Sequence, residues 1–248
     1  MLREAIVIDN ERLSRNVQHF DAIAGNIYDE SIPAHVMRHL TRRRVNVVRN
    51  AMRAGRVLDV GCGTGRFLSA LPRDTYQRYG IDVSEGMIRV AQGRNSALQC
   101  CVASATALPY KDECFDVVFC AAVLHHIADP AAVRQAIGEM IRVTRTGGVA
   151  IIWDHNPLNP YWPLIMRRVP QDTGDERLIP QREIASALDV TSGIYPLEVR
   201  WRRMTFIPDF APERSMPVLR WVEQILEQMP LVRHLAAHNV AIVRRLSG

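Results

Sequence analysis

In the stretch RVLDVGCGTGRF, residues 56–67, three glycines (Gly61, Gly63 and Gly65) fall within five positions directly behind an apolar run. Glycine reaches φ > 0 without steric cost and leaves bare backbone for a ligand to approach. A buried strand ending in such a loop must find neighbours, and the sequence supplies them. RYGIDV (78–83), ALQCCVA (97–103), FDVVFCAAVL (115–124) and GVAIIWD (148–154) are further short apolar runs rich in β-branched residues. Runs of this kind mark strands buried on both faces. Between the last two, DPAAVRQAIGEMIRVTRTGG opens with Asp129 as a cap and Pro130 in the first turn, carries an apolar stripe, and stops at a glycine pair. Residues 34–53 place Met37, Leu40, Val47, Val48 and Met52 at roughly helical spacing. The alternation predicts an α/β, doubly wound, mostly parallel sheet with helices on both faces.

After residue 155 the pattern changes. HNPLNPYWP is rich in proline and aromatics, so it reads as a loop or short lid. Residues 181–189 and 214–229 read as helices, and 197–206 as a strand. NVAIVRRL near the C-terminus reads as a last strand able to pair with 197–206, which makes seven in all. The expected organisation is an N-terminal helical segment plus a ligand-binding Rossmann-like core over residues 1–155. Residues 156–248 then complete the sheet and cover the site.

The chain has 248 residues, 48% hydrophobic and 23% charged, which places it among ordinary globular proteins. Its net charge of +5 is carried almost wholly by arginine, Lys111 being the only lysine. That excess is compatible with an anionic partner without demanding nucleic acid. Cys62, Cys100, Cys101, Cys114 and Cys120 form no CxxC pair and no Cys/His zinc spacing, so no metal is expected. An odd number of cysteines without a framework points to a reducing compartment. The N-terminus, MLREAIVIDNERLSRN, is too charged for a signal peptide, and no apolar run reaches about 18 residues. A cytoplasmic protein without a transmembrane segment is expected, as a monomer or homodimer.

Ligands of open parallel sheets bind beyond the carboxyl ends of the strands, where the glycine loop opens. Its spacing is GxGxG, not the dinucleotide GxGxxG, and no GxxxxGK[ST] phosphate loop is present. A ligand without phosphate is favoured. Asp82 ends the second strand seventeen residues beyond Gly65. A carboxylate there can accept two hydrogen bonds from a ribose diol, and it can equally cap the helix that Ser84 or Glu85 begins. Together the loop and Asp82 favour a nucleoside site.

LDVGCGTGRF, GIDVSEGMIRVA, ALPYKDECFDVVFCAAVLHHIADP and RVTRTGGVAII, in this order and spacing, resemble the class I S-adenosylmethionine-dependent methyltransferases. The nearest group is that of the ubiquinone/menaquinone and small-molecule methyltransferases. The resemblance covers about residues 18–155. It implies a seven-stranded Rossmann-like methyltransferase fold with an N-terminal helix and a C-terminal helical lid insertion. It also implies S-adenosylmethionine as cofactor and S-adenosylhomocysteine as product. By this resemblance Gly61, Gly63 and Gly65 cradle the methionine part, and Asp59 anchors the loop and reaches toward the cofactor's amino group. Asp82 binds the ribose, and Val83 and Met87 sandwich the adenine. Ser104, followed by Ala105, stands where an Asp usually accepts from the adenine amino group; a serine oxygen accepts too, without the charge that strengthens such bonds. Cys120 and Ala121 lend backbone near the amino-acid end. Tyr28, in FDAIAGNIYDE, is either an aromatic cap over the cofactor or an anchor of the N-terminal helix, together with Phe20.

Methyl transfer needs an aligned nucleophile and, for a hydroxyl acceptor, a base. His125 and His126 follow the fourth strand and are the candidates, against the alternative that one ring merely packs under the next loop. His155 and Asn156 leave the fifth strand at the same sheet edge and rank next as acceptor contacts, with His35 third. Arg38, Arg42, Arg49 and Arg53 share one side of their helix and read as a solvated face ahead of a phosphate-binding stripe. The late helix, with Val218, Leu219, Val222, Ile225, Leu226 and Met229 opposite Glu223, Gln224, Glu227 and Gln228, reads as packed on its own domain ahead of contacting a lipid. Trp221 beside it is a candidate for lining a pocket or a dimer contact. A small-molecule methyltransferase is thus expected. The alternatives are an RNA or other nucleic-acid methyltransferase, against which the absence of [DNS]PP[YFW] after the fourth strand argues, and an inactive cofactor-binding partner subunit.

Overall fold

The computed structural model describes residues 10–166 and 170–248; the charged N-terminal stretch thus begins outside the described residues. The order is α1 (Asn10–Ile23), α2 (Asn26–Glu30), α3 (Ala34–Ala51), β1 (Gly55–Val60), α4 (Arg66–Ala70), β2 (Tyr76–Asp82), α5 (Glu85–Arg94) and β3 (Gln99–Val102). Then come β4 (Phe115–Ala121), α6 (Leu124–Ile127), α7 (Pro130–Val143), β5 (Thr144–His155), α8 (Trp162–Ile165) and α9 (Gln181–Ser192). Last are β6 (Leu197–Met204), α10 (Met216–Gln228) and β7 (His238–Arg245).

Seven strands form one sheet in the order β3-β2-β1-β4-β5-β7-β6. The first five are parallel, and β7 runs antiparallel to both β5 and β6. The strand order reverses beside β1, so the loops after β1 and β4 diverge and open a crevice there. Both sheet faces are covered, which is why β4 is an unbroken apolar run. Val117 and Phe119 face a core built with α3 and α4, while Val118 and Cys120 face one built with α7 and α9.

Local chemistry explains most boundaries. Ser84 caps α5 by accepting from Met87 N–H, and Asp129 caps α7 by accepting from Ala132 N–H, with Pro130 in the first turn. Two segments depart from expectation. The helix after Asp129 ends at Val143, short of the glycine pair, and β5 already begins at Thr144. Gly147, at φ +76°, belongs to an irregularity in the β4–β5 pairing, where the register shifts between Phe115 and Val117. The His125–His126 pair lies on the short helix α6, after Ala122 turns the chain through φ +58°.

The late helix is turned relative to expectation: Leu219, Val222 and Leu226 of the apolar side are half-buried, and the charged Glu223 packs inward with them. Glu223 is 1% exposed and accepts from His39 Nε2 (2.7 Å), Arg43 (2.6 Å) and the Phe206 N–H (2.8 Å), while Glu227 pairs with Arg43 at 2.7 Å. Burial pushes the Glu223 carboxyl up, and the His39 bond and the Arg43 charge bring it down to about 2. Val218, Trp221, Ile225 and Met229 are left on the outside.

Candidate active site

The crevice at the strand ends is a cavity of about 260 Å³ roofed by the N-terminal helices. Asp21 on α1 accepts from Ser84 Oγ (2.6 Å) and Gly86 N–H (2.8 Å), which docks α1 on the start of α5. Asp29 on α2 accepts from Thr64 Oγ1 at 2.9 Å and pairs with Arg66 and Arg94, pinning α2 across the glycine loop. This places Tyr28 in the cavity wall. Burial and the nearby Asp82 carboxylate push its phenol up to about 12, so it stays neutral.

The three glycines do different things. Gly61 and Gly63 line the cavity. At Gly61, φ is +75° and a Cβ would meet Val123 Cγ2 at 2.3 Å, so no side chain fits. Gly65 does not line the cavity. It caps α4 in the left-handed region, where a Cβ would strike Ala91 Cβ and Leu98 Cδ1 at 2.9 Å. Its glycine serves helix packing.

Asp82 lines the cavity and binds the loop to its strand: one oxygen accepts Gly63 N–H at 2.9 Å, the other Ser84 N–H at 3.0 Å. Burial raises its carboxyl and these bonds oppose the rise. Each oxygen retains a lone pair, the requirement for holding a diol. Val83, Met87, Ser104, Ala105 and Ala121 also line the cavity, whereas Asp59 and Cys120 lie buried behind it. Burial holds the Asp59 carboxyl well above the usual range, with Arg44 opposing. The cavity therefore fits a nucleoside with an amino-acid tail: a carboxylate for the diol, apolar Val83 and Met87 for a base, and uncovered backbone at Gly61 and Gly63.

Ser104 faces the cavity, its hydroxyl 2.7 Å from Thr106 Oγ1 and accepting from Thr106 N–H at 3.2 Å. Ser104→Asp is expected to fold normally, because a carboxylate there keeps the bond from Thr106 N–H and reaches solvent through the cavity. The melting shift produced by S-adenosylhomocysteine should grow, because a charged acceptor binds the adenine amino group more strongly. A melting loss that ligand does not restore would show the adenine to be placed against the wrong residue.

Beyond the glycine loop the cavity is bounded by His125, His126 and His155. His125 is 2% exposed, and its Nδ1 lies 2.7 Å from Asp154 Oδ1. Asp154 itself is held by the N–H groups of Leu124 (2.8 Å) and His155 (2.7 Å). Burial lowers the His125 pKa, and the Asp154 charge and hydrogen bond more than offset this, so it ends above the ordinary value. His155 Nδ1 lies 3.1 Å from His125 Nδ1. One proton arrangement suits both contacts: His125 Nδ1–H donates to Asp154, and His155 presents a lone pair. Burial and the His125 charge hold His155 well below its usual value. His126 is bonded to Glu176 (3.3 Å) and brought down to about 4 by burial and His125, and its ring meets Phe20 edge-on at 5.1 Å.

Two expected acceptor contacts lie elsewhere. Asn156 is 1% exposed, and its amide donates to the His234 and Ala236 carbonyls, both at 2.8 Å. It staples two loops and does not line the cavity. His35 is bonded to the Ala211 carbonyl at 2.6 Å, also outside it.

Two residues that sequence reading passed over do line or support the cavity. Asp154 ends an otherwise apolar strand, a signal visible in GVAIIWD. Arg44 stands four residues from both Leu40 and Val48, on the buried side of α3, and lines the cavity. Its Nε is buried without a hydrogen-bond partner, and no ion pair to it occurs among the described residues. The four arginines expected on the solvated face are exposed as anticipated, Arg38 pairing with Glu213 at 3.2 Å.

A family model described as a methyltransferase domain matches residues 58–152. An uncharacterised methyltransferase of Mycolicibacterium gilvum is 30% identical over 200 residues, 76% of this chain and 75% of its own length. A tRNA (carboxymethyluridine(34)-5-O)-methyltransferase of Arabidopsis thaliana is 32% identical over 48% of this chain and 30% of its own. A demethylmenaquinone methyltransferase of Renibacterium salmoninarum is 32% identical over 52% and 56%. The chain thus spans from about a third to just over half the length of these two relatives. Among solved structures, a methyltransferase of Thermotoga maritima superposes with a TM-score of 0.64 at 18% identity, over 94% of this chain and 100% of its own, a likeness of fold.

Proposed function

The chain belongs to the class I S-adenosylmethionine-dependent methyltransferases, and within that class we propose that it methylates an oxygen of a small, largely apolar molecule, with His125 accepting the proton. One observation carries this reading: the Asp154–His125 pair opens into the same cavity as Gly61, Gly63 and Asp82. When bound, the cofactor supplies an electrophilic methyl group and a thioether leaving group. The protein's own tasks are to hold it, align the acceptor, exclude water and take the proton.

Asp82 would hold the ribose, with Val83 and Met87 against the adenine and Ser104 at its amino group. With Nδ1 committed to Asp154, His125 keeps Nε2 as its basic atom. Asp154 is a positioning residue that fixes this tautomer and supports the imidazolium formed on proton transfer, an effect of about 10²–10⁴ in rate for such a base. The apolar wall, including Leu13, Phe20, Leu40 and Ile165, suits a ring or chain more than a charged polymer.

Arg44 would take the cofactor's carboxylate, the one anionic group such a ligand brings. Arg44→Met is expected to weaken S-adenosylhomocysteine binding about 10- to 100-fold, the worth of a hydrogen bond between charged groups. Binding of 5′-methylthioadenosine, which lacks the carboxylate, should be unchanged. Equal losses for both ligands in calorimetry would assign Arg44 to the fold.

The tRNA-modifying relative favours a second reading, an RNA acceptor. Methyl-labelled cofactor offered with a set of phenols, hydroxylated metabolites and carboxylic acids, and separately with tRNA, decides between them. Labelled methyl ethers, or methyl esters from the acids, are expected from the small molecules. Label passing to tRNA alone would overturn the proposal.

A further inference from the structure

The outer face of α10 is apolar, and nothing among the described residues covers it. Val218, Trp221, Ile225 and Met229 are 63%, 62%, 40% and 43% exposed and follow helical spacing along one stripe. The helix is not free to turn this stripe inward, because Glu223 and Glu227 are bonded to His39, Arg43 and the backbone N–H groups of Phe206 and Thr205. Rotating α10 would bury the apolar stripe only by leaving these carboxylates and Arg43 unpaired.

The end of the stripe is joined to the loop that follows the cavity-lining His155. Leu231, 86% exposed, follows the helix, and the turn Val232–Leu235 after it is bonded to the Asn156–Asn159 loop, with Asn159 donating to the Leu235 carbonyl at 2.6 Å. At the mouth itself, Phe210 is 72% exposed beside the cavity-lining Asp209, and Leu164 is 63% exposed beside the cavity-lining Ile165.

The charge around this face has one sign. Glu213 is paired with Arg38, Glu223 and Glu227 are consumed inside, and Asp209 is bonded by Tyr161. Arg214 and Arg233 are exposed with no ion-pair partner among the described residues, and the polar groups on the outer side of the helix, Gln224 and Gln228, are neutral. A second copy of the chain would bring like charge against like. An anionic lipid surface complements both properties: apolar side chains, a tryptophan among them, enter the interface, and arginines meet the phosphates. No helix among the described residues is long and apolar enough to cross a membrane, so the contact is peripheral.

We propose that the α10 face, with its flanking arginines, docks the protein on anionic bilayers. The docking stands on this surface alone. Its consequence, that an apolar acceptor is drawn from the bilayer into the adjoining cavity, rests on the small-molecule reading above.

The test is flotation of the purified protein with vesicles of phosphatidylcholine alone and of phosphatidylcholine mixed equally with phosphatidylglycerol. Binding to the anionic vesicles is expected, with little to the neutral ones and a marked fall at high salt. Trp221→Ala combined with Ile225→Ala should lower the partition coefficient about tenfold. The double change Arg214→Gln and Arg233→Gln should lower it about tenfold and remove most of the salt dependence. Both variants should keep the melting shift induced by S-adenosylhomocysteine, which shows them folded. No partition to anionic vesicles, or equal partition by both variants, overturns the proposal. So does light scattering that finds a dimer which the Trp221/Ile225 variant dissociates.

Discussion

Asp82→Ala is expected to weaken S-adenosylhomocysteine binding about 100- to 10,000-fold in calorimetry, a loss of roughly 3–6 kcal/mol. Two hydrogen bonds from a ribose diol to a carboxylate contribute about 1.5–3 kcal/mol each. The variant also releases Gly63 N–H, which Asp82 holds at 2.9 Å, so the loop loses the anchor that sets its shape before any ligand arrives. Asp82→Asn separates the two contributions. It keeps the side-chain shape and one acceptor oxygen, and should fall between alanine and the parent. Unchanged affinity in Asp82→Ala would remove the ribose assignment, whatever the fate of the catalytic reading.

His125→Asn should leave S-adenosylhomocysteine affinity near that of the parent while lowering kcat about 10²- to 10⁴-fold. The pH dependence gives a second, independent reading. The active form of a base is neutral, and Asp154 favours the charged form of His125, holding its pKa above the ordinary histidine value against the pull of burial. Therefore kcat/KM should rise with pH through a value above 6.5. In Asp154→Asn the stabilising charge is gone, the imidazole loses its proton more readily, and the acidic limb should move to lower pH. The rate should drop at the same time, because the neutral amide no longer supports the imidazolium. A structural role for Asp154 alone would lower stability and leave the limb in place. Parent-like rates in His125→Asn would sink the base assignment.

How much of this site could be read from sequence depended on the range of the interaction that made it. The loop from Gly61 to Gly65, the acidic end of β2 and the cap at Ser84 arise within a few residues of chain, and their sequence signals are equally local. Asn156 misled because position at a strand end says nothing of orientation. Its amide turns toward carbonyls near residue 235, almost eighty positions away. Gly65 misled for a related reason, since a glycine demanded by Ala91 and Leu98 looks identical in sequence to one demanded by a ligand. Arg44 went unread because arginines along α3 form a plausible solvated row, and only the packing shows which of them is turned into the protein.

The sequence by itself determined the α/β layering, the positions of the seven strands and the glycine loop after the first of them. These follow from apolar periodicity, β-branching, glycine geometry and capping, all of which act over a turn or a strand. Which face of α10 is buried was decided only by tertiary structure. A hydrophobic pattern predicts its apolar side inward, yet His39 and Arg43, some 180 residues earlier, supply partners that keep Glu223 charged in the interior. The same holds for the pairing of His125, on the short helix after β4, with Asp154 on β5. A buried charge is tolerable only beside its counter-charge, and where that partner stands is a property of the folded chain.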